Sequence, residues 1–474
     1  MNRKGYYKFL MGLQAEWPAA ILPEIQRYAG MLDRKLIAVD DDPTGSQLVK
    51  DIAVLSEWDV DILVRELQSP LKAFYITTNT RGKNPDEADA INFEIGKNLR
   101  IAAEQVNKRI SIISRGDSTL RGHFPGEMEA LQRGLELDPD GTFLIPALLD
   151  DGRLTINDVH YVVKNGWLVP VGQTDYAKDA SFGYASSNLR EWVEEKTQGK
   201  VKKEEVHSIS LSELRGKGPD FILRKILAFP KGFICIVNAV SRKDIEVFTL
   251  AMVQAELIGR RFMTRSGPSF VPVRMGLEEY PPMRREDLPG LDRAAGGLTI
   301  VGSYVANSSR QIEEVLRKNL VKTVVMEVDK IIDERCREKT INTIAESIDR
   351  EISSGQDVML YTSRRLIVGG DAVSSLQIGF KVSSSLIQVL RRITTRPRYI
   401  LAKGGITSSD LATQGSWRNQ ICFIGDDEDS NIHMRQADAL AAYVGTNYPS
   451  YNINKIYLDA YPQVKGATGF RYPD

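Results

Sequence analysis

The sequence predicts an α/β protein of two domains, each a mostly parallel sheet with flanking helices. At 474 residues the chain exceeds the size at which one hydrophobic core stops growing, so two domains are expected. Short apolar runs without strict alternation recur along it, most of them followed by a helical pattern, as in parallel strands covered on both faces. A charged stretch from Glu278 to Gly297, containing Pro281, Pro282, Pro289, Gly290, Gly296 and Gly297, separates these runs into two series.

The first series comprises residues 36–39, 74–77, 110–113, 143–145 and 234–237, and the second 298–301, 324–328, 358–361, 400–402 and 421–424. The expected division is therefore an N-terminal domain over 1–280, a linker over 281–297 and a C-terminal domain over 298–474. The balance of 42% hydrophobic and 26% charged residues is that of an ordinary globular protein. Lys+Arg and Asp+Glu each total 62, so no global field draws the chain to nucleic acid or to a membrane surface, and any anionic ligand must be held by local groups. Cys235, Cys336 and Cys422 are too scattered for a disulfide framework or a zinc cluster, which fits a reducing compartment. Arg3, Lys4, Lys8 and Glu16 interrupt the start, and no later run reaches the ~18 apolar residues of a membrane span, so a cytoplasmic location is expected.

In open α/β sheets ligands bind beyond the carboxyl ends of the strands, so the residues after each apolar run are the informative ones. After the first come Asp40-Asp41-Asp42-Pro43-Thr44-Gly45-Ser46, adjacent carboxylates that repel one another unless a cation or sugar hydroxyls occupy the site. A solvated turn capping a helix is the plain alternative. The next runs end in Thr77-Thr78-Asn79-Thr80-Arg81 and in Ser114-Arg115-Gly116-Asp117-Ser118-Thr119-Leu120-Arg121-Gly122-His123. Planar guanidinium groups grip a carboxylate in a bidentate way while Asp and Asn bond hydroxyls, a combination suited to a polyhydroxy acid. A structural Arg–Asp network would look the same in any one loop; three successive loops favour a site. Asp150-Asp151-Gly152-Arg153 extends the same edge. His123 and His160 are given no catalytic role, and no cluster has metal-ligand spacing. In the second half, Gly302-Ser303 ends a strand and Ser308 with Gln311 reads as a capping box, while Lys403-Gly404-Gly405-Ile406-Thr407 places a glycine pair before a helix start, where backbone N–H groups approach phosphate oxygens. No Walker lysine motif or GxGxxG is present.

These segments together resemble the four-carbon acid sugar kinase family. The resemblance runs through Asp41-Asp42-Pro43-Thr44-Gly45, Thr78-Asn79-Thr80-Arg81, Asp117-Ser118-Thr119-Leu120-Arg121-Gly122, Asp151-Gly152-Arg153 with His160, and Thr174 with Lys178-Asp179. It continues through Arg265-Ser266-Gly267-Pro268-Ser269-Phe270, Gly302-Ser303 and Gly404-Gly405-Ile406-Thr407, covering roughly residues 33 to 412. The resemblance implies an acid sugar in the N-terminal domain, ATP in the C-terminal domain and reaction in the cleft between them. It implies sugar contacts from Asp41, Asp42, Arg81, Asp117, Ser118 and Arg121, and nucleotide contacts from Ser303, Gly404, Gly405, Ile406 and Thr407. The implied partners are a small-molecule acid sugar and ATP; phosphoryl transfer calls for Mg²⁺ bridging the phosphates, the charge balance leads to the expectation of no nucleic-acid or membrane partner, and a homodimer is one assembly open to the chain.

The expected reaction is in-line phosphoryl transfer from ATP to a hydroxyl of a threonate-, erythronate- or oxo-tetronate-type acid, with Asp42 or Asp117 accepting the proton. Two other readings compete. Asp40-x-Asp42-x-Thr44 also fits a haloacid-dehalogenase-type phosphatase, with Asp40 as nucleophile, Asp42 as acid/base, and Thr77 or Thr78, Lys403 and Gly425-Asp426-Asp427 in the remaining places, although the span between its parts is far too long for that compact fold. A non-catalytic sugar-acid sensor would have no use for a phosphate cradle. After Thr413 the chain departs from the family, lacking its glycine-rich segment and its Pro-Gly-Val-Pro and Pro-Gly-Asn turns, so an unpaired sheet edge, weaker ATP affinity and slower turnover are expected.

Overall fold

Apolar runs such as Leu36-Ile37-Ala38-Val39 and Phe74-Tyr75-Ile76 have no polar face to give to water, so they form strands only where helices cover both sides of the sheet. The computed structural model describes residues 4–42, 49, 52–164, 166–179, 181–279, 294–302, 306–319, 321–364, 367, 372–403, 411, 421–424, 456–457 and 469–471. The chain divides into two units, Met1–Glu279 with Arg471–Asp474, and Tyr280–Phe470. Both are α/β.

In the first unit the strands are β1 (Lys4–Gly5), β2 (Arg34–Asp40), β3 (Ala53–Leu55), β4 (Ala73–Thr77), β5 (Arg109–Arg115), β6 (Gly141–Ile145), β7 (Arg153–Ile156), β8 (Val159–Lys164), β9 (Trp167–Pro170), β10 (His207–Ile209), β11 (Phe233–Val237) and β12 (Phe262–Ser266). Eight of them run side by side in the order β10-β11-β6-β12-β5-β2-β4-β3, and every pairing among them is parallel. After β4 the chain crosses to the other side of β2 to form β5. That reversal opens a crevice at the carboxyl end of β2, the place where such sheets take ligands.

The helices of this unit are α1 (Tyr6–Met11), α2 (Leu22–Leu32), α3 (Val60–Gln68), α4 (Pro85–Gln105), α5 (Gly126–Leu135), α6 (Leu189–Lys196), α7 (Leu211–Ala228), α8 (Arg242–Leu257) and α9 (Phe270–Arg274). Several start where local chemistry dictates: Asn84 with Glu87, Ser210 with Glu213 and Ser241 with Asp244 each form a reciprocal capping box. The core lies between sheet and helices. At its β6 side Phe143 is fully buried and meets Phe233, Phe248 and Phe262 edge-on at 5.2, 4.8 and 5.1 Å between ring centres. The four-stranded antiparallel sheet β1-β9-β8-β7 has no counterpart in the sequence reading. Its β7–β8 hairpin turns at Asn157 and Asp158, both with positive φ, the backbone of a two-residue type I′ turn.

The second unit carries β13 (Leu298–Val301), β14 (Lys322–Met326), β15 (Val358–Thr362), β16 (Ile400–Lys403), β17 (Ile421–Ile424) and β18 (Ile456–Tyr457), with α10 (Ala306–Lys318), α11 (Val328–Ile332), α12 (Glu334–Ser353) and α13 (Ala372–Arg392). The order is β14-β15-β13-β16-β17-β18, parallel except for the last pair. Two expectations change here. Because α10 begins at Ala306, Ser308 lies inside the helix and is buried with Gln311, so the pair is not a capping box at the helix start. The run at 324–328 ends as a strand at Met326, and Val328 starts α11. Beyond Thr413, β17 pairs with β16 and β18 with β17, so β16 is not an open edge.

Candidate functional site

At the carboxyl end of β2 three successive carboxylates are held by three different guanidinium groups. Asp40 has no exposed surface; its Oδ1 accepts from Arg115 Nη1 and from the Asp42 backbone N–H, both at 2.9 Å. Burial pushes its carboxyl up to about 7, against the pull of Arg115. Arg81, on a single 3₁₀ turn after β4, reaches Asp41 Oδ1 through Nη2 at 2.5 Å and Asp42 Oδ2 through Nη1 at 2.7 Å. Arg265, near the end of β12, reaches Asp41 Oδ2 at 2.9 Å, Glu127 Oε2 at 3.2 Å and the Ser114 hydroxyl at 3.0 Å. The like-charge repulsion anticipated at Asp40-Asp41-Asp42 is thus answered by guanidinium groups.

The neighbouring turns are built to allow this. The Thr78 hydroxyl donates to the Asp40 carbonyl at 2.9 Å, and Thr80 donates to Glu127. A Cβ on Gly116 would fall 2.2 Å from the Arg265 guanidinium carbon, and one on Gly122, whose φ is +121°, only 2.7 Å from both Arg265 Nη2 and Asp41 Oδ2. A side chain at either position would push this ion pair aside, and the positive φ of Gly122 itself favours glycine.

The Asp117–Arg121 loop forms the second half of the site. Asp117 Oδ2 accepts from the Thr119 hydroxyl and from Arg121 Nε at 2.7 Å. Burial alone would raise its pKa, but Arg81 and Arg121 outweigh it and hold the carboxyl well below the usual range. With Nε engaged, Nη1 of Arg121 lies 3.8 Å from Asp179 Oδ2, and its guanidinium sits 5.1 Å from the centre of the Tyr176 ring. Asp117, Arg121, Arg265 and Ser266 line one small cavity whose apolar wall includes Leu120 and Trp192.

Loop position is fixed from beneath. His160 is fully buried, with Nε2 at 2.7 Å from the Ser118 carbonyl and Nδ1 at 2.9 Å from the Thr155 hydroxyl. A carbonyl only accepts, so Nε2 carries the proton and Nδ1 accepts from Thr155. The Tyr184 hydroxyl donates to the Thr119 carbonyl at 2.6 Å, and Asp151 pairs with Arg153 at 2.9 Å. His123 points Nε2 at the carbonyls of Thr80 and Lys83, 3.1 Å from each. Both histidines therefore tie loops together.

Burial lowers the His160 pKa from 6.5 to about 4. Above pH 6.5 the imidazole is neutral in folded and unfolded chains alike; as pH falls from 6.5 towards 4 only the unfolded chain binds the proton, so stability is lost across that window. The full difference amounts to about 3 kcal/mol. Urea unfolding at several pH values in this range is expected to show a smaller fall in stability for His160→Gln than for the parent. Parallel curves for the two proteins would show that His160 does not control the loop in this way.

Asp41, Asp42, Arg81, Asp117, Ser118 and Arg121 are thus all brought to one edge of one sheet. Arg265, Glu127 and Tyr176 join them without having been assigned a site role from the sequence; Arg265 stood inside a family motif, whereas Glu127, a charge on a buried helix face, gave no signal. Asp40 is sealed off and cannot serve as the exposed nucleophile of a phosphatase. Ser303, Gly404, Gly405, Ile406 and Thr407 lie outside the described residues, as do Pro43, Thr44, Gly45 and Ser46. The strands that precede the two segments expected to contact a nucleotide are neighbours, β13 and β16, with Val301 opposite Lys403. Among the described residues no group of three His, Cys, Asp or Glu side chains is arranged to hold a metal ion, and no helix is long and apolar enough to cross a membrane.

Residues 36–274, half of the chain, match the model of a sugar-binding N-terminal domain, and residues 298–419 that of a nucleotide-binding C-terminal domain. The chain belongs to the four-carbon acid sugar kinase family. Residues 401–474 also match Peptidase family C25, a segment that overlaps the end of the acid sugar kinase match and contains few described residues. No curated protein matches the chain. Among solved structures, a Salmonella typhimurium LT2 protein provisionally described as a tRNA synthase is similar at 13% identity and a TM-score of 0.56, over 80% of this chain and 88% of that one. A Haemophilus influenzae protein of the DUF1537 family is similar at 16% identity and a TM-score of 0.51, over the same shares. Both share the fold of this acid sugar kinase family member.

Proposed function

We propose that the chain is an ATP-dependent kinase that phosphorylates a hydroxyl of a four-carbon acid sugar of the threonate, erythronate or oxo-tetronate type. The observation that carries this reading is the guanidinium-rich edge at β2, β4, β5 and β12, where Arg121, anchored through Nε by Asp117, lines a small cavity with an apolar wall together with Asp117 and Arg265. A bidentate guanidinium suits a carboxylate ligand, and aspartates suit a polyol. ATP as donor is supported by the nucleotide-binding family of residues 298–419, and contacts from Ser303, Gly404, Gly405, Ile406 and Thr407 are part of the proposal.

In the proposed step the substrate hydroxyl oxygen forms a bond to the γ-phosphorus as the bond from that phosphorus to the bridging oxygen breaks, releasing ADP; the hydroxyl proton passes to a carboxylate. Asp42 is the better candidate. Its side chain is 22% exposed, whereas Asp117 is held strongly acidic and positions Arg121. Asp41 and Arg81 fix Asp42, and Ser118 helps shape the loop. Mg²⁺ would arrive with the nucleotide and keep much of its water, since the described residues offer no cage for it.

A coupled assay of ADP release over threonate, erythronate and oxo-tetronate isomers tests the reading. Turnover dependent on one acid is expected. Binding of the acid without turnover would turn the reading into that of a sensor, and phosphate release from a sugar phosphate without ATP would contradict it outright.

A further inference from the structure

The opposite end of the same sheet carries a second basic cluster. β2 begins at Arg34 and β5 at Arg109, residues directly opposite one another in the parallel pair, and Arg261 immediately precedes β12. These three arginines line a cavity of about 420 Å³. Arg34 and Asp40 are the two ends of the seven-residue β2, six steps and roughly 20 Å apart at the rise of an extended strand, so the cluster is distinct from the candidate sugar site.

The other charges around it are answered. Lys108 pairs with Asp33 at 2.6 Å, and Arg100 pairs with Glu104 at 3.1 Å and Glu136 at 3.2 Å. Glu256 is taken by Arg274 at 2.6 Å. The three arginines differ. Arg109 donates to the Leu32 carbonyl at 2.7 Å and Arg261 to the Asp138 carbonyl at 3.1 Å, but among the described residues none of the three has a carboxylate within ion-pair distance. Capping of helix and loop carbonyls accounts for Arg109 and Arg261. It does not account for Arg34, whose Nε is buried with no hydrogen-bond partner among the described residues and which lines this cavity and a second one beside it. Burial lowers the Arg34 pKa, and the repulsion of Arg109, Arg274 and Arg261 adds to that, with Glu256 alone opposing. A half-buried guanidinium beside other cations is unfavourable unless an anion completes the cluster.

We propose that Arg34, Arg109 and Arg261 form a binding site for a dianionic phosphate group at the amino end of the sheet. Guanidinium groups on adjacent strands can each present two N–H donors to one phosphate, the geometry in which arginine exceeds lysine. The site does not depend on the kinase reading.

The test is thermal unfolding and calorimetric titration of the full chain at low salt, with inorganic phosphate in one arm and glycerol 3-phosphate in the other to separate free from esterified phosphate. Arg34→Met and Arg109→Gln are the variants. Without phosphate, Arg34→Met is expected to unfold at the same temperature as the parent or higher, because an unanswered cation has been removed. With phosphate the parent gains thermal stability that Arg34→Met lacks, and each variant binds at least about tenfold more weakly. Phosphate stabilising parent and both variants equally would overturn the proposal. So would a loss of stability in Arg34→Met without phosphate, which would make Arg34 a structural group.

Discussion

Arg265→Met is expected to lower the unfolding free energy by about 3 kcal/mol or more, the cost of leaving buried carboxylates without a counter-charge. Arg265 is the common partner of Asp41 and Glu127, whose side chains are 2% and 3% exposed. Asp41 retains Arg81 and Glu127 retains Thr80, so the loss is partial and not a collapse of the network. For a unit of this size the melting temperature should fall by roughly 6 °C or more. The double variant Arg265→Met with Glu127→Gln should be less destabilised than the two single changes added together, because the second removes the charge that the first strands. Additive effects would show that the two groups are not coupled.

Asp42→Asn is expected to lower kcat by about 10²–10⁴-fold with little change in KM for the acid, the range in which a positioned base contributes. Asp117→Asn is expected to act differently. It weakens the anchor of Arg121 Nε and so raises KM, with a smaller change in kcat. Steady-state kinetics with the acid that responds in the panel separates these outcomes. The reverse pattern would move the base to Asp117, and near-normal constants in both variants would remove both carboxylates from the roles proposed.

The parallel strands were legible because their burial on both faces leaves continuous apolar runs: residues 36–39, 74–77 and 298–301 fall within β2, β4 and β13. β12 was not legible, since Phe262-Met263-Thr264-Arg265-Ser266 turns polar after two apolar residues. Nor was the small antiparallel sheet, whose β7 carries buried Arg153 and Thr155 and whose β8 carries buried His160. The loops after β2, β4 and β5 stood out as a candidate site because polar groups gathered where the fold class places ligands. Their internal pairing was hidden. Arg265 and Asp41 are distant in sequence and meet only because β12 lies beside β5 and β5 beside β2. Asp40 looked as available as its neighbours, and its complete burial follows from the strand order around β2.

The most direct measurement of the central claim is calorimetric titration of the full chain with threonate and erythronate, against the neutral polyol erythritol, in the parent and in Arg121→Lys. The account predicts that at least one acid binds and the polyol does not, and that Arg121→Lys weakens the acid about tenfold or more while ATP affinity is unchanged, because an ammonium cannot reproduce a guanidinium fork. Equal binding of acid and polyol, or an unchanged acid affinity in Arg121→Lys, would contradict it.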